Sequence, residues 1–220
     1  MISISNAQRR PVPQANWVRT IHHGLPENLL TPQRVQPSYL AVLGRIAPEK
    51  GVDRAIRIAT RCGIPLKIAA KVDRADQDYY DELISPLIKA SPLVEYIGEI
   101  SDREKSDFLS GAIGLLVPID WPEPFGLVMI EAMACGTPVL AYNRGSVPEI
   151  IDPGLTGFVV EDETSAVAVV DRLAALDRTA IRKQFESRFT ARRMALDYLA
   201  AYRGLMEKAE PRIKLVSSAE

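Results

Sequence analysis

From Tyr39 onward, short apolar runs alternate with longer stretches in which apolar residues recur at helical spacing. The runs YLAVLG (39–44), PLKIAA (65–70), LVEYIG (93–98), IGLLVPI (113–119), PVLAY (138–142) and GFVV (157–160) predict six strands. Helices are predicted between them over 48–62, 76–89, 101–111 and 125–135, with a short one over 146–151 and further helices to the end. Local signals support these limits. Proline opens the first helix, Ser-Asp-Arg-Glu at 101–104 is a capping box, and Gly136 stands where the fourth should close.

Strands that are apolar on both faces and alternate with helices predict an α/β fold, a doubly wound, Rossmann-like, parallel six-stranded sheet. The default strand order is 3-2-1-4-5-6, and ligands of such sheets bind beyond the carboxyl ends of the strands where the order reverses. Here that point lies between the first and fourth strands. The loops leaving those strands are GRIAPEKG (44–51) and DWPEPFG (120–126), two unusual stretches of the chain.

The first forty residues break this rhythm. Pro11, Pro13, Pro26, Pro32 and Pro37 punctuate two short β-like runs, 1–5 and 17–21, with no periodic helix. They read as the edge of a structure whose remainder is absent, followed by a linker.

The two loops carry the candidate chemistry. Gly126 stands at a helix start, so the N–H groups of Gly126, Leu127 and Val128 are unpaired, and no side chain at 126 hinders an approaching anion. Glu131 lies about 7.5 Å further along the axis, beyond useful reach of that anion but suited to the hydroxyls of a ribose. Glu123 projects from the preceding loop toward the other end of a ligand. Arg45 and Lys50 flank the opposing loop and could neutralise a diphosphate without a metal. The bland alternatives are an acidic residue favoured by the helix dipole, a solvated helix glutamate and two surface cations. A cation at a helix start opposes the dipole, by about a few tenths of a kcal/mol, which weighs against the last of these.

Other motifs carry less. Asp-Gln-Asp at 76–78 resembles a metal-holding Asp-x-Asp, but it opens a helix, where aspartates serve as caps. His22 and His23 have no Cys or carboxylate cluster near them in sequence, so no zinc site is expected. Met194, Tyr198, Tyr202 and Leu205 form an apolar helical stripe that reads as packing.

Composition then narrows the class. The 220 residues are 47% hydrophobic and 25% charged, ordinary for a globular protein, and the net charge of −1 speaks against a nucleic-acid partner. Cys62 and Cys135 form no CxxC or zinc spacing and read as reduced thiols of a cytoplasmic protein. The apolar runs are too short to span a bilayer, and MISISNAQRR lacks the features of a signal peptide. From 178 to 214 there are ten Lys or Arg against four Asp or Glu. A solvated helix face is the favoured reading of that surplus. Peripheral contact with the anionic inner surface of a membrane is the alternative.

GRIAPEKGVDRAI, FLSGAIGLLVPIDWPEPFGLVMIEAMACGTPVLA and PEIIDPGLTGFVV together resemble the C-terminal half of a family 4 (group 1) retaining glycosyltransferase of GT-B fold. The resemblance runs from about Tyr39 to the end. It implies a donor site of Gly44, Arg45, Lys50, Gly98, Ile100, Glu123, Phe125, Gly126, Leu127, Val128 and Glu131. Arg45 and Lys50 would hold the donor diphosphate and Glu123 the transferred sugar, these three being the expected catalytic residues. The backbone around Phe125, Gly126 and Leu127 would hold sugar and phosphate, Glu131 the ribose, and the loop from Gly98 to Ile100 the base. The donor would be a UDP-, GDP- or ADP-linked sugar, transferred with retention and with no metal or other cofactor.

The resemblance also implies a division of the chain. Residues 1–35 would be a remnant of an N-terminal domain plus linker, 36–189 the nucleotide-sugar domain, and 190–220 a helix that crosses back, with its tail. Length is the main departure, because the acceptor-binding domain is missing. The expected consequence is weak donor binding with little or no transfer, and partnership with a separate acceptor domain or self-association through the exposed interdomain face. A non-catalytic nucleotide-sugar-binding module is the alternative. A second departure is Ala70–Lys71, where many relatives carry a glycine.

Overall fold

A computed structural model describes residues 1–209. Strands β1 (Ile2–Ser3) and β2 (Arg19–Thr20) form a small parallel pair, with Ile2 opposite Arg19. The main sheet holds β3 (Tyr39–Ile46), β4 (Leu66–Val72), β5 (Val94–Gly98), β6 (Ala112–Val117), β7 (Val139–Tyr142) and β8 (Gly157–Val160). All are parallel, in the order β5-β4-β3-β6-β7-β8, which is the default order expected of a doubly wound sheet. The helices are α1 (Val52–Cys62), α2 (Gln77–Tyr79), α3 (Ser85–Ala90), α4 (Asp102–Ser110), α5 (Leu127–Ala134), α6 (Val147–Ile150), α7 (Glu163–Val169), α8 (Arg178–Arg188) and α9 (Ala191–Ala209).

Alternation along each strand sends side chains into two cores, one on each face of the sheet. Ala41, Leu115, Val117 and Val139 join Met129, Ile130, Met133 and Phe185 on the face covered by α4, α5 and α8. Leu40, Val42, Leu116 and Leu140 join Ile56, Ala59, Ile84 and Leu173 on the face of α1 and α7. The glutamate of the predicted capping box does close on Ser101 at the start of α4. A π turn over Tyr80–Ile84, closed by Ser85 N–H to Tyr80 O, links α2 to α3, whose first turn holds Pro86.

Two helix limits differ from expectation. The helix predicted over 48–62 is split into a 3-10 turn, Pro48–Lys50, and α1. Gly51 between them is left-handed (φ 69°), and any Cβ there would collide with the Pro118 carbonyl oxygen. The break therefore presses the loop after β3 against the end of β6. The helix predicted from Phe125 starts two residues later, because Phe125 turns its ring into the core, where it is 2% exposed.

The linker is clamped to the α8–α9 junction. Leu25 N–H donates to Phe189 O (2.9 Å) and Ala191 N–H to Leu25 O (2.8 Å). Arg193 Nη2 donates to the carbonyls of His22 (2.7 Å) and His23 (3.0 Å). The α9 stripe packs only in part: Met194 and Tyr198 are half-buried, whereas Tyr202 is 52% exposed and Leu205 is exposed, with Leu196, Leu199 and Met206 exposed beside them. Periodicity identifies an apolar face but not the surface that covers it. Residues 210–220, the end of the basic stretch and of the expected crossing segment, lie outside the described residues.

Candidate functional site

The sheet order reverses between β3 and β6, and a cleft opens there at the carboxyl ends. Gly44, Arg45, Lys50, Glu123, Gly126 and Val128 line one part of it. Lys71, Glu99, Ile100, Lys105, Leu127 and Glu131 line the other, with Leu43, Gly44 and Val128 common to both. Gly98 ends β5 in a left-handed turn (φ 78°), after which Glu99 and Ile100 enter the cleft.

Each carboxylate that flanks α5 is matched by a lysine. Lys50 Nζ lies 2.8 Å from Glu123 Oε2, which also accepts the Trp121 indole N–H (3.0 Å). The same ammonium sits 4.8 Å from the Trp121 ring centroid, in cation–π range. Glu131 Oε1 accepts from Lys105 Nζ (3.0 Å), and Lys105 also pairs with Asp102 (2.9 Å). Burial works against the Lys105 charge, but hydrogen bonds to Asp102 and Glu131 outweigh it and raise its pKa. Two acidic residues therefore bracket a helix N-terminus without making the cleft repel anions.

Between them, Gly126 caps α5 in a left-handed conformation (φ 83°). A Cβ there would come within 2.6 Å of Met129 Cε, the mobile end of a side chain, and 3.3 Å of Glu123 Cγ, so it is the backbone conformation that favours glycine. The N–H groups of Leu127 and Val128, in the first turn of α5, have no intrahelical carbonyl to bond. Phe125 contributes backbone alone. Its carbonyl accepts from Ser146 Oγ (2.8 Å), and its ring packs against His23 (5.1 Å), His22 (5.8 Å) and Phe189 (6.2 Å). Burial, and then the neighbouring His22, lowers the His23 pKa.

Arg45 and Lys50 line the same cavity but do not converge. The Arg45 guanidinium turns toward the loop after β4, 3.3 Å from Asp73, 3.4 Å from Glu49 and 3.7 Å from Asp76. Hydrogen bonds from Lys71 and Arg45 hold the Asp73 carboxyl below its usual range. The Asp-Gln-Asp stretch does not cap as expected. Asp76 accepts no capping hydrogen bond and faces Arg45 instead. Among the described residues, no group of three or more His, Cys, Asp or Glu is placed to hold a metal ion.

Four residues of the site escape the sequence reading: Trp121, Lys105, Gly145 and Ser146. Gly145 (φ 58°) lies against the backbone of Glu123, where any Cβ would collide, and Ser146 N–H donates to Glu123 O (2.9 Å). The loop after β7 thus pins the EPFG loop from outside. The turn-forming run Asn143-Arg144-Gly145-Ser146, next to the switch point, is the signal that could have drawn attention to it.

Residues 31–188 match the family model described as glycosyl transferases group 1. Over 203 residues the chain is 29% identical to a glycogen synthase of Mycobacterium tuberculosis, covering 84% of this chain and 48% of that one. It thus spans about half the length of that relative. It is similar in structure to sucrose-phosphate synthase from Thermosynechococcus elongatus, with a TM-score of 0.80 and 26% identity, over 94% of this chain and 58% of the other. A likeness of fold alone links it to Anabaena HepE in complex with UDP and glucose, with a TM-score of 0.81 and 20% identity, over 92% and 62% of the two chains. With the family model covering most of its length and the motif residues gathered at one cleft, this chain belongs to the group 1 glycosyl transferases.

Proposed function

We propose that this chain is the donor-binding half of a retaining glycosyltransferase, which takes a nucleoside diphosphate sugar in the cleft between β3 and β6. The observation that carries the reading is the pair of lysine-matched carboxylates at either end of an open helix N-terminus, at the point where strand order reverses. The UDP in the Anabaena HepE structure supports a nucleotide donor.

In this reading the N–H groups of Leu127 and Val128, with Lys50, receive the diphosphate. Arg45 joins them by turning away from Asp73 and Asp76. Glu131 accepts ribose hydroxyls, the loop from Gly98 to Ile100 lies against the base, and Glu123 accepts hydroxyls of the sugar. The cations supply the neutralisation that a metal would otherwise provide. In the transfer step an acceptor hydroxyl attacks the anomeric carbon on the face the diphosphate leaves. The carbon–phosphate oxygen bond breaks, and the departing phosphate oxygen takes the hydroxyl proton.

Catalysis needs donor and acceptor held together with water excluded. We assign residues 1–35 to the linker and an N-terminal remnant, 36–189 to donor binding and 190–220 to a crossing segment that meets an acceptor domain. The exposed face of α9 fits that assignment. Alone, the chain binds donor and transfers little. A non-catalytic nucleotide-sugar-binding module is the second reading. We place the protein in the cytoplasm, and the basic 178–214 stretch suits peripheral contact with an anionic membrane surface. No described helix is long and apolar enough to cross a membrane.

A thermal-shift series with UDP, GDP, ADP, the matching monophosphates and pyrophosphate tests the reading. One nucleoside diphosphate should raise the melting temperature more than its monophosphate or pyrophosphate does. Equal shifts from all of them, or none from any, would count against a donor site.

A further inference from the structure

The Glu131 carboxylate has an arrangement that a simple ribose acceptor does not need. Its side chain is 12% exposed, and Oε1 is occupied by Lys105 Nζ at 3.0 Å. Lys105 is held in turn by Asp102, at 2.9 Å, the first residue of α4. The three groups form a chain that runs from the solvent edge of α4, through the ammonium, to the floor of the cleft on α5. Among the described residues, no protein group donates to the second oxygen of Glu131, and Glu131 lines the cavity beside Ile100, Leu127 and Val128.

The position of the lysine is informative. Lys105 lies within the first turns of α4, where a cation opposes the helix dipole and is not favoured by helix stability. It is also three-quarters or more covered, so its aliphatic stem is packed and its ammonium has little freedom. A glutamate on a helix ordinarily samples several rotamers and loses that freedom on binding. Tied through one oxygen, Glu131 presents the other at a fixed place.

We propose that Lys105 is the positioning residue of Glu131 and that the Asp102–Lys105–Glu131 chain makes the cleft discriminate ribose from deoxyribose. The inference rests on the donor-site reading above. Lys105 acts through the carboxylate: by holding Oε1 it keeps Glu131 aimed, and Glu131 accepts hydrogen bonds from the ribose hydroxyls. Because α4 follows the loop that bears Glu99 and Ile100, the same chain also ties the base side of the cleft to its ribose side.

The test is calorimetric titration of the whole chain, of Lys105→Met and of Lys105→Arg. The ligands are UDP, GDP and ADP, the 2′,3′-dideoxy counterpart of whichever binds, and pyrophosphate. The wild-type chain should prefer the ribonucleotide by about tenfold or more, the scale of a hydrogen bond to a charged group. In Lys105→Met the preference should fall to about twofold or less, and Lys105→Arg should restore most of it. Pyrophosphate, which has no ribose, should bind all three chains alike and so reports an intact fold and phosphate site. An undiminished preference in Lys105→Met would overturn the inference, and so would a wild-type chain that binds the two sugars equally. Parallel loss of pyrophosphate binding would overturn it too, because the effect would not be specific to ribose. A wild-type chain that binds no nucleotide would bring down the donor-site reading, and this inference with it.

Discussion

Lys50 Nζ and Glu123 Oε2 stand 2.8 Å apart, although one belongs to the loop leaving β3 and the other to the loop leaving β6. The contact joins the two lips of the cleft at the point where sheet order reverses. Lys50 is steered there by the Gly51 break, which seats its loop on Pro118, and Glu123 by Gly145 and Ser146. Trp121 touches both partners, as hydrogen-bond donor to the carboxylate and as aromatic face to the ammonium. In the proposed donor arrangement, a phosphate that reaches Lys50 would compete with Glu123 for it. The carboxylate would keep the indole N–H and become free to accept from a sugar hydroxyl.

Removing the lysine should therefore have two separate effects. In Lys50→Met the half-buried Glu123 keeps only the Trp121 donor, which should cost about 1–3 kcal/mol of stability. That corresponds to a fall in melting temperature of several degrees for a chain of this size. The affinity for a nucleoside diphosphate should drop at least about tenfold, while an uncharged nucleoside should bind as before. Differential scanning calorimetry and titration read the two effects independently.

Gly145 gives a prediction about backbone alone. It touches no ligand in the proposed arrangement, but a Cβ there would strike Glu123, and φ is positive. Gly145→Ala should cost about 1–3 kcal/mol, seen as a lower urea midpoint, and should weaken nucleotide binding through displacement of the EPFG loop. Equal stability and binding in the variant would mean that the loop after β7 does not hold the site.

A third prediction concerns pH. His23 lies under the same loop, edge-on to Phe125, and burial and then His22 lower its pKa from 6.5. Below that value the unfolded chain takes up a proton that folded His23 resists, so the unfolded state binds more protons and stability falls as pH drops. The contribution is complete above about pH 6.5. Urea midpoints should decline from pH 7 to pH 5, nucleotide affinity should decline with them, and His23→Gln should flatten both trends.

The legibility of this chain differs between layers. The doubly covered parallel sheet follows from apolar runs, because strands covered on both faces must be apolar along their length; its order is the default for such folds, and the sheet agrees. Gly126 and Glu131 are readable because one needs a special backbone and the other sits a fixed helical distance away. Lys105 and Trp121 are not, since their roles arise from contacts between separate elements that no local spacing encodes. Arg45 lies where expected, but its direction is set by Asp73 and Asp76, on the loop after a different strand. Phe125 sits in a polar, proline-rich loop, and nothing local reveals that its ring serves the core.

The exposed face of α9 yields a fourth prediction. Leu196, Leu199, Tyr202 and Met206 share one side of the helix and are at least 49% exposed. Apolar surface of this kind favours association. Sedimentation velocity should show concentration-dependent self-association of the chain, and Leu199→Glu together with Tyr202→Glu should leave a monomer that still binds nucleotide.

The most direct test of the donor site is calorimetric titration of this chain with UDP, GDP and ADP, repeated on Lys50→Ala and Glu131→Ala. The account predicts that one nucleotide binds, and that each substitution weakens it at least about tenfold, one from the phosphate end and the other from the ribose end. Binding that neither substitution changes, or no binding of any of the three by the intact chain, would contradict it.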